Sequence, residues 1–228
     1  MQITLDRRYR GPLESANGGY ACGRLASFVQ AETVEVTLRL PPPLDRSLDV
    51  QIEDGSATLR DGQAVVAEAR EASLEIEPPA PVALGEAAAA AARHVRVGNR
   101  VFRECFVCGI RPEGDGLGIY AGAVDGREPL HAAPWTPTET APELVWAAID
   151  CPGAYAVGAE GRGDIVLGRM AATVLRVPEV GEPCVVAAWP LGEDGRKLYA
   201  GTGLFTGGGE LLALARQTWI EPLAPSAA

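Results

Sequence analysis

The sequence predicts an α+β fold in which one domain-sized unit is present twice. Three observations lead there. Short segments recur: LRLPPPL at 38–44 answers LRVPEV at 175–180, and GQAVVAEAR at 62–70 answers GELLALAR at 209–216. Each half places one helix-spaced apolar segment ahead of a run of strand-like segments. Turn glycines stand at matching points, Asp61-Gly62 in the first half and Gly207-Gly208-Gly209 in the second. A repeat of roughly 110 residues is the length of a domain, so two domain copies are expected and not a solenoid.

The elements follow in order. A strand is expected at 2–10. In ESANGGYACGRLASFVQA, the residues Ala21, Leu25, Phe28 and Val29 recur at helical spacing, with Ser15 and Asn17 as N-cap candidates. VEVTLRL at 34–40, LDVQI at 48–52, SATLR at 56–60 and the long run at 64–76 read as strands, with a hairpin at Asp61-Gly62. PPAPV at 78–82 cannot continue a ladder and reads as a connector, followed by a short helix on the alanines at 87–92. In the second half a strand is expected at 116–124. A helix follows at 142–159 that Pro152 should kink or break. Strands are then expected at 164–177, 184–190, 197–206 and 210–221. The expected division is an N-terminal repeat at 1–82, a linker at 83–100 and a C-terminal repeat at 101–228.

Composition narrows the function. With 228 residues, 47% hydrophobic and 22% charged, the chain is an ordinary globular protein long enough to bury a substantial core. A formal charge of −10 argues against nucleic acid, whose binders neutralise phosphates with a basic face. The opening MQITLDRRYR lacks the apolar stretch of a secretory signal, and no apolar run is long enough to span a membrane. A cytoplasmic location is the expectation, with the odd number of scattered cysteines (five) fitting reduced thiols.

Among chemistry-bearing residues, Asp150 stands out, because WAAIDCPGAYA surrounds an acid with apolar neighbours, and buried charges need a reason. Its bland role would be to cap the segment beyond Pro152 or to pair with an arginine. Gly18 and Gly19 stand at a helix entrance, where free amides favour an anion, although tight packing also calls for glycine. Cys105 and Cys108 form a lone CxxC for which neither Cys151 nor His94 and His131 supply an obvious further ligand pair. A packed entry loop is therefore expected there, not zinc or redox chemistry.

The motifs resemble those of a known superfamily. FRECFVCGIRPEGDGLGI at 102–119 looks like the CFxCG…GLxL segment of PaaI-like hotdog thioesterases. The helix ELVWAAIDCPGAYA is similar to the central hotdog helix, roughly HGGxxxxLxDxxxxxA, and Asn17-Gly18-Gly19 resembles its HGG entrance. The layout therefore resembles a double hotdog: two hotdog repeats in one chain, each a long helix packed on an antiparallel sheet. The resemblance implies hydrolysis of an acyl-CoA or acyl-carrier thioester without metal or other cofactor. An amide of Gly18 or Gly19 would bind the carbonyl oxygen and Asp150 would act as the base. Asn17 stands where the family often has His. The match is split, since nine residues on from Asn17 is Ala26 and nine back from Asp150 is Ala141; each half lacks what the other has. In a fused dimer the two halves would complete one site and leave the other degenerate. Glu143, Trp146 and Trp135 are expected near the acyl seam, and Arg111, Arg162 and Arg169 are candidate phosphate holders. No His follows Asp150, which disfavours hydratase chemistry. The rival reading is a non-catalytic acyl-CoA binder with a degenerate site, and further assembly into a homodimer is left open. If Asp150 were separated from the glycine amides by more than roughly 8 Å, beyond a one-water bridge, the binder would be favoured.

Overall fold

The computed structural model describes residues 1–95, 101–162 and 164–222. Residues 96–100, at the end of the expected linker, lie outside the described residues.

Among the described residues, eleven strands form one antiparallel sheet. In chain order they are β1 (Gln2–Thr4), β2 (Thr33–Leu38), β3 (Ser47–Glu53), β4 (Ser56–Asp61), β5 (Ala64–Glu71), β6 (Gly122–Ala123), β7 (His131–Trp135), β8 (Val166–Val174), β9 (Cys184–Asp194), β10 (Lys197–Thr206) and β11 (Leu211–Ile220). Their order across the sheet is β1-β3-β4-β5-β2-β8-β11-β10-β9-β7-β6. The helices are α1 (Gly18–Ala26), α2 (Leu84–Ala92), α3 (Pro142–Ala148), α4 (Cys151–Ala156) and α5 (Ala159–Arg162).

One hydrogen-bond irregularity occurs in both halves of the chain. At the end of β2 the Val66 carbonyl accepts from two successive amides, Arg39 and Leu40; at the end of β8 the Leu212 carbonyl accepts from Leu175 and Arg176. The same irregularity thus recurs 136 residues later (175 − 39 and 176 − 40), within the LRLPPPL and LRVPEV segments. β2 and β8 also join the halves edge to edge, with Thr33 opposite Thr173, Glu35 opposite Ala171 and Thr37 opposite Arg169. Because 35 + 136 = 171, each position of β2 faces the counterpart of its own mirror position. The register has the self-complementary form that pairing across a twofold axis would have.

Alternation along the strands sorts the core into two layers. Val186 and Leu204 belong to the main core beneath α1, α3 and α4, whereas Val185, Ala187 and Phe205 face the opposite side with Ala87 and Ala90 of α2. The alanine-rich helix expected in the linker is therefore a packed cover for the far face of β7 and β9.

Several expectations need correction. The strand expected at 2–10 stops at Thr4, and a 3-10 turn at Arg7–Tyr9 follows, capped by the Asp6 side chain. The run at 64–76 leaves the ladder after Glu71, and the strand expected at 116–124 shrinks to Gly122–Ala123. β7 was not anticipated, since HAAPW lacks the alternation and β-branching that mark a strand; β9 shelters it as a partner. Pro152 does break the second helix, leaving Ile149 and Asp150 between α3 and α4.

Close helix packing rests on glycines. A Cβ on Gly23 would lie 2.7 Å from Glu143 Cα and 2.9 Å from Trp146 Cβ, so α1 and α3 touch with no room for a methyl group. Gly23→Ala is expected to destabilise the protein by about 1–3 kcal/mol through overpacking. Gly85→Ala, in α2 where nothing lies within 4 Å, should leave stability unchanged or slightly raised. Urea unfolding midpoints of the two variants test this contrast.

Candidate functional site

Asn17 opens α1. Its side-chain oxygen accepts from the Tyr20 amide at 2.9 Å, satisfying one of the free N–H groups of the first turn. That bond leaves its Nδ2 pointing away from the helix, where it donates to Asp150 Oδ2 at 2.7 Å. The Gly19 amide donates to the same oxygen at 3.0 Å. A glycine is required at 19, because a Cβ there would fall 2.5 Å from both Asp150 Cβ and the Trp146 carbonyl.

Asp150 reaches this position because the helix breaks around it. It precedes α4 but its side chain caps nothing there, so the bland capping role does not apply. Gln217, buried on β11, donates from Nε2 to the Ile149 carbonyl at 2.6 Å and to the Asp150 carbonyl at 3.1 Å, and accepts from Trp219 Nε1 at 2.8 Å. Gln217 thereby satisfies the carbonyls that the helix break exposes. Sequence reading missed it, since a single Gln in a strand pattern carries no signal of burial.

Asp150 is 2% exposed, and its second oxygen, Oδ1, is buried with no hydrogen-bond partner among the described residues. Desolvation raises the Asp150 pKa to about 7; the Cys105 sulfur pushes the same way, and the Gly19 and Asn17 hydrogen bonds oppose it. One oxygen is tethered by two donors and the other is free to take up a proton.

A cavity of about 560 Å³ opens beside this group, lined by Asn17, Gly18, Asp150 and apolar side chains including Leu38, Ile165, Leu167 and Trp219. The Gly18 amide has no hydrogen-bond partner among the described residues and lies at the cavity wall. Of the two candidate carbonyl-binding amides, Gly19 is therefore occupied by Asp150 and Gly18 is the one left available.

The other expected residues do not line this cavity. Glu143 is paired with Arg24 at 2.9 Å. Trp146 is buried between α1 and α3, and Trp135 is buried on β7 opposite Cys184. The three arginines proposed for phosphate already have partners: Arg111 with Asp115, Arg162 with Glu193 and Glu221, and Arg169 with Glu35. The cysteine expectation needs revision too. Cys151, the first residue of α4, brings its sulfur within 3.6 Å of Cys105, and Cys108 joins them. Hydrogen bonds from the Cys108 and Cys151 thiols hold the Cys105 thiol well below its ordinary pKa. Only the fold could show this, as 43 residues separate Cys108 from Cys151 (151 − 108).

No protein-family model matches the chain, and no curated protein matches it. Solved structures do. An acyl-CoA thioesterase II, TesB2, from Mycobacterium marinum superimposes with a TM-score of 0.57 and 14% identity, covering 100% of this chain and 94% of that one. A conserved protein of unknown function with hot dog fold from Alicyclobacillus acidocaldarius gives 0.59 and 12%, covering 98% and 93%. A dehydratase domain of a mycocerosic acid synthase-like PKS gives 0.60 and 15%, covering 97% and 90%. The chain has the hotdog fold. That fold carries more than one chemistry among these neighbours, so activity must be argued from the site.

The buried carboxylate has a consequence for stability. Its folded pKa of about 7 lies above the ordinary 3.8, so the folded state binds the proton more tightly than the unfolded chain. The contribution of Asp150 is most favourable below the unfolded pKa and is lost as pH rises through about 7. Asp150→Asn removes this dependence. Relative to wild type, the variant should gain on the order of 2 kcal/mol between about pH 5 and about pH 8. Denaturant unfolding of both proteins at the two pH values reads the difference.

Proposed function

We propose that the chain is a double hotdog, its two repeats fused into an internal dimer, that hydrolyses an acyl-CoA or acyl-carrier thioester. The observation that carries this reading is the Asp150 carboxylate, with Oδ2 held by Asn17 and Gly19 and Oδ1 buried and unpartnered beside an apolar cavity. It meets the geometric condition set by the sequence, since acid and glycine entrance come from different halves and are 3.0 Å apart.

The acyl chain occupies the apolar cavity and excludes bulk water. The Gly18 N–H, at the positive end of α1, donates to the thioester carbonyl and stabilises the negative charge that develops on its oxygen. Asp150 removes a proton from water as the oxygen attacks the carbonyl carbon. When the tetrahedral intermediate collapses, the C–S bond breaks and the same proton passes from Asp150 to the departing thiolate. The products are a carboxylic acid and a free thiol. A carboxylate with pKa about 7 suits both halves of this cycle.

Hydratase chemistry fits less well. His131 bonds the Pro129 carbonyl and His94 the Ala121 carbonyl, and neither lines the cavity. Among the described residues no helix is long and apolar enough to cross a membrane.

Hydrolysis across short, long and aromatic acyl-CoAs tests the reading. Asp150→Asn should lower kcat by roughly 10²–10⁴-fold, the range for loss of a general base. Undiminished hydrolysis by that variant overturns the mechanism. Absence of turnover in wild type, together with an acyl-CoA-dependent rise in Tm, would favour the binder instead. For an active enzyme, kcat/KM should fall tenfold per pH unit below about 7, because Asp150 must be ionised to accept the proton.

A further inference from the structure

We infer that Cys105, Cys108 and Cys151 form a three-thiolate site for a soft divalent cation of the zinc class at the wall of the cavity. The three sulfur atoms lie within 4.8 Å of one another, and Cys105 and Cys151 Sγ are 3.6 Å apart. A tetrahedral zinc site with Zn–S bonds near 2.3 Å has S···S edges of about 3.8 Å, so the sulfurs stand close to coordinating positions.

The loop that presents the first two is shaped for this task. The Cys105 carbonyl accepts from the Gly109 amide at 2.8 Å, closing a tight turn over the CxxC. A Cβ on Gly109 would lie 2.3 Å from Cys105 N, so the turn tolerates only glycine. The third sulfur comes from a different element, the N-terminus of α4.

The polar surroundings point the same way. Asn17 Nδ2 lies 3.9 Å from Cys105 Sγ and 3.8 Å from Cys151 Sγ. It presents hydrogens to both sulfurs, as a cluster carrying negative charge requires. Thiols that merely fill a core need no such donors; Cys184, elsewhere in the core, donates its own S–H to the Glu182 carbonyl. All three cysteines line the cavity, which leaves the fourth coordination position to water or to a cavity ligand.

Cobalt(II) is the probe. The full chain is stripped with chelator, kept reduced with a phosphine and titrated with Co²⁺. The expected result is one ion per chain, with intense thiolate-to-cobalt charge-transfer absorption and visible bands of tetrahedral strength, both abolished by Zn²⁺. Cys151→Ser should weaken binding roughly tenfold or more and remove about a third of the charge-transfer intensity, while Cys184→Ser leaves both unchanged. Wild type that shows no charge-transfer band, or a band unaltered by Cys151→Ser, overturns the site. Because the readout is spectroscopic, it stands apart from thioester hydrolysis.

Discussion

The carboxylate of Asp150, buried between two halves of one chain, is the constraint around which the structure is arranged. A charge in that position needs partners, and both come from the N-terminal half of the chain: the Asn17 side chain and the Gly19 amide. The helix that supplies Asp150 must break to aim it, and Gln217 must satisfy the carbonyls freed by the break. The helix that supplies Gly19 must come so close that no side chain fits between. Even so, one oxygen remains without a partner, and a fold shaped by stability alone would not keep it.

On the proposed double-hotdog reading, fusion accounts for the different motifs of the two halves. In a symmetric dimer each repeat must carry both the helix entrance and the acid, since every site uses one of each. Once covalently joined, the pairing of β2 with β8 persists through backbone hydrogen bonds, whatever happens to the side chains. On that reading one site holds Asn17, Gly18, Gly19 and Asp150, while Ala26 and Ala141 stand at the corresponding positions of the other. Asn17 gains a double role in the surviving site, capping α1 with its oxygen and holding Asp150 with its nitrogen.

Much of the fold was legible from local pattern. The strands from Thr33 to Glu71 and from Val166 to Ile220 follow hydrophobic alternation and turn glycines, which are properties of neighbouring residues. β7 and the shortened β6 were not legible, because their sheet positions depend on β9 as a partner and not on their own composition. The site divides the same way. Asp150 announced itself as an acid in an apolar helix, and Gly18 and Gly19 as a helix entrance. Residue type drew Trp135, Trp146 and Glu143 toward the cavity, but burial on β7, packing of α3 against α1 and the Arg24 ion pair respectively claimed them.

By itself the sequence pointed to most of the strands, to the helix entrance at Asn17-Gly18-Gly19 and to the acid at Asp150, because each is written in residue type and spacing. Tertiary structure alone decided which oxygen of Asp150 is free, which glycine amide is spent and that Cys151 meets Cys105 and Cys108. Those facts turn on distances of a few ångströms between segments far apart in the chain, set by where the two helices cross the shared sheet.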